Sequence, residues 1–227
     1  MRVITTSHKE GFEQYGYRWV ESLKNWPKAE FRYYVEDFTV NGVENHSLSS
    51  IEPLQEFKER HKNYIPPDWD FDVVRFSNKV FAAWDAFKGY DGICVWLDAD
   101  CVTFKKLPNG FIENLVKDHD LALFQRKGMW TETGFWVMRG DRVQELLDTW
   151  VRWYTTDSFK GLLTWHDCVT LDATLRRFKG LSVNNLSGKF DKEDHPMCYV
   201  EVGKYIDHTK GSRKEAGFSP ENKNRKM

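Results

Sequence analysis

The stretch Ile93-Cys-Val-Trp-Leu-Asp-Ala-Asp100 is a continuous apolar run that ends in two carboxylates. A run of this length between turn signals fits a central strand buried on both faces, and Gly89 and Gly92 flank a turn just before it. Along an extended chain residues i and i+2 point the same way, so Asp98 and Asp100 would leave the strand on one face. Two like charges so placed repel unless a cation sits between them. Hard divalent ions such as Mn²⁺ or Mg²⁺ take oxygen ligands and bridge carboxylates to phosphates. A bare Asp-x-Asp also suits an ordinary polar turn; the apolar run in front of it is what fixes where the acids lie.

Outward from that strand, strands and helices alternate. Arg2–Thr6 is a short β-branched run, and Phe12, Tyr15, Trp19, Leu23 and Trp26 follow at helical spacing until Pro27. Phe31–Phe38 reads as a strand ending in Glu36 and Asp37, Asn41–Ser50 as a polar loop, and Leu54–Tyr64 as a short helix. Asp72–Phe87 carries Phe76, Val80, Trp84 and Phe87 on one helical face. Past the acids come strands at Leu121–Phe124 and Gly134–Met138, then a helix capped by Asp141 with an apolar stripe from Val143 to Tyr154. A helix over Asp167–Phe178, strands at Leu181–Asn184 and Tyr199–Val202, and a polar tail from Gly203 complete the chain. This alternation predicts an α/β domain with a mostly parallel central sheet covered by helices, whose ligands bind beyond the carboxyl ends of the strands. The domain is expected over residues 1–220, with 221–227 as a disordered tail.

Composition narrows the class. The 227 residues carry 33 Lys and Arg against 34 Asp and Glu, which argues against a polyanion binder driven by net charge. At 41% hydrophobic and 15% aromatic, the chain is not disordered. Cys94, Cys101, Cys168 and Cys198 form neither a Cys-x-x-Cys pair nor a zinc spacing and read as reduced core residues. No apolar run approaches the ~18 residues of a membrane span, and the start lacks a signal-peptide pattern, so a cytoplasmic location is expected.

A second motif is complementary to the first. His208-Thr-Lys-Gly-Ser-Arg-Lys214 places an imidazole, a glycine and three cations in seven residues. Gly211 would let backbone approach a phosphate closely, and Lys210, Arg213 and Lys214 could neutralise a diphosphate. Alone the segment is equally a solvated basic tail; with the acidic pair it makes the other half of a metal–diphosphate site.

Four segments in chain order now resemble a GT-A fold glycosyltransferase, with greatest similarity to family-eight (glycogenin and galactosyltransferase-like) retaining enzymes. They are Asp98-x-Asp100, Thr131-Glu-Thr-Gly-Phe-Trp-Val-Met138, Asp167-Cys-Val-Thr-Leu-Asp172 and His208-x-x-Gly211-x-x-Lys214. Glu132, Cys168 and Asp172 depart from the family's usual Asn, Gln and Asn, and Glu215-Ala216 from its usual Pro-Trp. The resemblance implies a single Rossmann-like domain, a nucleotide-sugar donor (a UDP-sugar) and Mn²⁺ or Mg²⁺ held by Asp98, Asp100 and His208. It implies donor contacts from Thr6, Asp37, Arg75, Lys79, Asp98, Gly211 and Lys214, and places Asp167, then Glu132, beside the reacting sugar carbon. Arg75 and Lys79, one helical turn apart, equally suit an exposed helix face. Trp130 suits a sugar face and Trp136 the core, while His166 reads as an exposed loop residue and His195 receives no role. The acceptor hydroxyl stays open among a glycan, a protein side chain and a modified nucleic-acid base. The competing readings are a sugar nucleotidyltransferase and a non-catalytic nucleotide-sugar-binding module.

Overall fold

The computed structural model describes residues 1–140 and 142–225; Asp141, expected as a helix cap, lies outside the described residues. The main sheet is built from β1 (Arg2–Thr6), β2 (Glu30–Val35), β3 (Glu44–Ser47), β4 (Cys94–Leu97), β6 (Leu121–Phe124), β7 (Glu132–Met138) and β8 (Val183–Asn185). Its spatial order is β3-β2-β1-β4-β7-β6-β8. The β3-β2-β1-β4 half is parallel, β7 runs antiparallel to both β4 and β6, and β8 is parallel to β6. The chain is thus an α/β fold on a mostly parallel mixed sheet, with β4 at its centre and no exposed residue along its length.

Successive strand residues feed opposite layers, as the pleat requires. Ile4, Trp96 and Trp136 face a layer formed by α3 (Glu52–Arg60), α4 (Val73–Phe87), α6 (Arg142–Thr155) and α7 (Asp167–Arg177). Val3, Val95 and Val137 face the other layer, where Tyr15, Trp19 and Trp26 of the first helical stretch pack with Ile112 of α5 (Phe111–Leu115). Two buried indoles of this layer find acceptors: Trp150 and Trp153 Nε1 donate to Thr170 and Thr174 Oγ1 at 2.9 and 3.0 Å. The expected Phe12–Trp26 helix is broken into α1 (Lys9–Gly11), a π-helical turn Phe12–Gly16 and α2 (Tyr17–Ser22). Such turns often re-aim a side chain at a site, and Tyr15 sits in this one.

Two further segments differ from expectation. Asn41–Ser50 contains the edge strand β3, whose Glu-Asn-His-Ser sequence is half solvated and carries no apolar alternation. Tyr199–Val202 is not a strand; 3₁₀ turns cover Pro196–Tyr199 and Glu201–Lys204, and the strand comes later, as β9 (Ile206–His208). That strand pairs antiparallel with β5 (Cys101–Thr103), directly after the acidic pair.

Of the expected tail, residues 221–225 are described and are packed, while 226–227 lie outside the described residues. Asn222 is buried and donates to the Gly203 carbonyl at 3.0 Å, Arg213 forks onto Glu221 and Arg225 meets Asp207 at 2.8 Å. The reason is Asp207, which is fully buried in β9 and whose ion-pair partner among the described residues is Arg225 of the returning segment. Removing one member of a buried ion pair costs roughly 3–5 kcal/mol. Arg225→Met should therefore lower the unfolding free energy by about 3 kcal/mol in a urea melt; an unchanged midpoint would mean that the tail is not part of the folded body.

Candidate active site

The carboxyl ends of β1 and β4 open into a cleft of about 1000 Å³, lined by Thr6, Tyr15, Lys79, Asp98, Asp100, Asp167, His208 and Lys214 among others. After Leu97 the backbone turns: the Asp98 carbonyl accepts from Cys101 N at 2.8 Å, and Asp98 N donates to the Gly134 carbonyl at 2.9 Å. The two carboxylates are thus gathered by a turn, not by the alternation of an extended strand.

His208 joins them through sheet pairing. In the β5–β9 register Cys101 stands opposite His208, and Thr209 donates to the Asp100 carbonyl through both N (3.0 Å) and Oγ1 (2.7 Å). The imidazole Nε2 lies 3.1 Å from Asp100 Oδ1 and 3.8 Å from Asp98 Oδ2. Gly134 of β7 makes room, since a Cβ there would overlap the imidazole ring. Asp100 Oδ1 is buried yet lacks a hydrogen bond of good geometry. Buried polar atoms are rarely left so, and two carboxylates with one imidazole form an O,O,N donor set that suits Mn²⁺ or Mg²⁺. Asp100, Cys101 and His208 also bring one ligand atom each within 4.8 Å of one another; the Cys101 thiol, pushed well up by burial, stays protonated beside the acids.

The charges around this centre are neutralised in pairs. Lys79 Nζ bridges Asp98 and Asp167 at 2.8 Å each, and Lys214 Nζ reaches Asp100 Oδ2 at 3.1 Å. Burial raises Asp98, helped by the like charge of Asp100 and opposed by Lys79. For Asp100 burial is outweighed by His208 and Lys214, which hold it well below the usual carboxylate range. Asp167 is likewise held low against burial by Lys79 and by the Thr133 hydroxyl, which donates to Oδ2 at 2.6 Å. Burial would deprotonate Lys79, but Asp167 and Asp98 keep it firmly charged. His208 is raised because Asp100 and Glu132 overcome its burial.

Thr6, Arg75, Lys79, Asp98, Gly211 and Lys214 all border the cleft. Arg75 is exposed and Lys79 largely enclosed, so one helical turn of α4 holds two different environments. Asp37 is corrected: it is exposed and does not line the cleft, whereas Glu36 does and pairs with Lys58. Glu132 lines the cleft but is itself buried, beside His208 of β9 and Lys210. Lys210 Nζ is 2.7 Å from its Oε2 and His208 Nδ1 is 3.7 Å from its Oε1; against burial, His208 and Lys210 lower it to about 2. At 3.7 Å the imidazole Nδ1 makes no hydrogen bond to Glu132, which acts on His208 through its charge.

His166, expected as an exposed loop residue, and His195, which received no role, are both buried. His195 packs edge-on to His208 at 5.8 Å and its Nδ1 sits 3.1 Å from Cys198 Sγ; burial lowers it to about 4, so it is neutral at pH 7. Nothing local marks either residue, because both are buried by segments distant in sequence. Tyr15 was visible only as core, yet it lines the cleft with Lys214 Nζ 4.4 Å over its ring.

No protein-family profile matches the chain, and no curated protein matches it. Solved structures do. One of them is the crystal structure of a glycosyltransferase involved in the glycosylation of the major capsid of PBCV-1, at a TM-score of 0.54 and 14% identity, covering 95% of this chain and 97% of that one. At that identity the match establishes a shared glycosyltransferase-like fold.

Two substitutions probe the centre. Lys79→Met leaves Asp98 and Asp167 buried without their shared cation and should cost roughly 3–5 kcal/mol in a denaturant melt. Gly134→Ala should displace the His208 ring and weaken Mn²⁺ binding at least tenfold by calorimetry, with a smaller effect on stability; intact Mn²⁺ affinity would remove His208 from the metal set.

Proposed function

We propose that the protein is a metal-dependent glycosyltransferase that moves a sugar from a UDP-type donor to an acceptor hydroxyl. The observation that carries the reading is the meeting of His208 with Asp98 and Asp100, across 110 residues of chain, with Lys214 on the same carboxylate. Asp98, Asp100 and His208 would hold Mn²⁺ or Mg²⁺, which would neutralise the diphosphate as it leaves. Lys214 and the Gly211 backbone, at a positive φ of 64° that favours glycine, would contact that diphosphate. Thr6 and Tyr15 border the space for the nucleoside, with Arg75 at its rim.

Asp167 is the ionised carboxylate we place nearest the anomeric carbon. It is tied to Lys79 and Thr133, an arrangement better suited to stabilising positive charge on the sugar ring than to attacking it. The transfer then forms the bond from acceptor oxygen to anomeric carbon, breaks the bond to the phosphate oxygen on the same face, and passes the acceptor proton to that phosphate. The configuration is retained. A nucleotidyltransferase would want an open Gly-rich loop after β1; Gly11, the lone glycine of that segment, is closed in by Tyr15 and His8.

Donor turnover should stop in excess chelator and return with Mn²⁺. Asp100→Asn should lower it by roughly 10²–10³ or more while circular dichroism stays native. Full turnover in chelator would sink the assignment. Proton NMR of the first-formed product should show the donor's anomeric configuration. Asp167→Asn should keep measurable activity; near-total loss with a sugar trapped on the protein would replace the same-face route by a covalent one.

A further inference from the structure

Beyond the metal centre, one wall of the cleft is aromatic. Trp69 opens a 3₁₀ turn, Trp69–Phe71, and its ring is 57% exposed while lining the cleft. The ring is not free to wander. Phe76 meets it edge-on at 4.9 Å and His166 stacks on it at 5.8 Å with 28° between the planes. The Asp68 side chain accepts from Asp70 N at 2.9 Å, and the Asp70 carbonyl accepts from Trp165 N at 2.9 Å, tying the turn to the loop that leads into α7. His166 is only 7% exposed, lines the same cleft, and its Nδ1 has no hydrogen-bond partner. It directly precedes Asp167, so this wall adjoins the carboxylate assigned to the reacting sugar.

A held, half-exposed indole beside an unsatisfied buried polar group calls for a ligand with one apolar face and hydroxyls at its edge. We propose that Trp69, Phe76 and His166 form the acceptor subsite and that the acceptor is a saccharide, its C–H face on the Trp69 indole and one hydroxyl paired with His166. The inference rests on the donor reading above, which fills the other side of the cleft. The volume of about 1000 Å³ stands at the top of the roughly 300–1,000 Å³ usual for one small ligand, which leaves room for part of a second. The local charge selects among acceptors. The segment reads Asp68-Trp-Asp-Phe-Asp72, and Asp72 lines the cleft with Trp69, so a polyanionic nucleic acid meets a carboxylate beside the indole. Asp72 and Arg75, both at the cleft, also break up the continuous apolar surface that would anchor a peptide.

The test uses the full chain with UDP and Mn²⁺ on a printed array of unmodified glycans, with Ser/Thr peptides and single-stranded oligonucleotides as further probes. UDP affinity is measured separately by calorimetry. Wild type should retain a glycan, Trp69→Ala should weaken the best-bound one at least tenfold, Trp69→Phe should recover part of the loss, and His166→Ala should weaken it several-fold. UDP affinity should stay within twofold in the two Trp69 variants, whose exposed position makes unfolding avoidable and checkable by melting temperature. A silent glycan array with UDP still bound overturns the subsite and leaves the donor reading standing, as does capture of the peptides or oligonucleotides instead. Equal glycan affinity in Trp69→Ala overturns it too. Glycan binding that depends on Trp69 in a protein that fails to bind UDP sustains the subsite and overturns the donor reading.

Discussion

The antiparallel pairing of Cys101 with His208 is the contact on which the candidate site depends. It joins the residue that follows the acidic turn to a strand near the chain's end, and it sets His208 Nε2 3.1 Å from Asp100. A two-stranded ladder of three residues is weak by itself. Here it is reinforced by the double donation of Thr209 to the Asp100 carbonyl, by the buried Arg225–Asp207 pair and by Asn222 on the Gly203 carbonyl. The chain end is thus part of the machinery that fixes the imidazole.

Charge neutrality is the second constraint. Asp98, Asp100, Glu132 and Asp167 are drawn together at the ends of β4, β7 and α7, and such a group tolerates enclosure only if each carboxylate has a partner. Lys79, Lys214 and Lys210 provide them, Lys79 serving two at once.

The small residue at Gly134 links sheet to site. It lies in β7, whose antiparallel course beside β4 carries Glu132 and Thr133 toward the Asp98 turn. Any side chain at Gly134 would occupy the place of the His208 ring. The sheet, the acidic turn and the β5–β9 ladder therefore interlock at one backbone position.

The sequence by itself determined the central strand, because an unbroken apolar run can only be buried on both faces, and it determined that Asp98 and Asp100 stand at the strand's carboxyl end. The segment His208–Lys214 was legible as an imidazole, a glycine and cations close together, and its spacing only through the family resemblance. What it left open were features decided by contacts between distant segments. The edge strand Glu44–Ser47 has no apolar alternation to announce it, and β9 is three residues long and meaningful only against β5. Glu36 and Asp37 both follow β2, and which of them enters the cleft depends on how the chain turns after Val35. Glu132 was visible as a carboxylate beside the glycine, yet its partners Lys210 and His208 lie more than 70 residues away, and only the fold brings them there. Residues 221–225 read as solvated because they are polar. The tertiary structure packs them because the buried Asp207 in β9 pairs with Arg225.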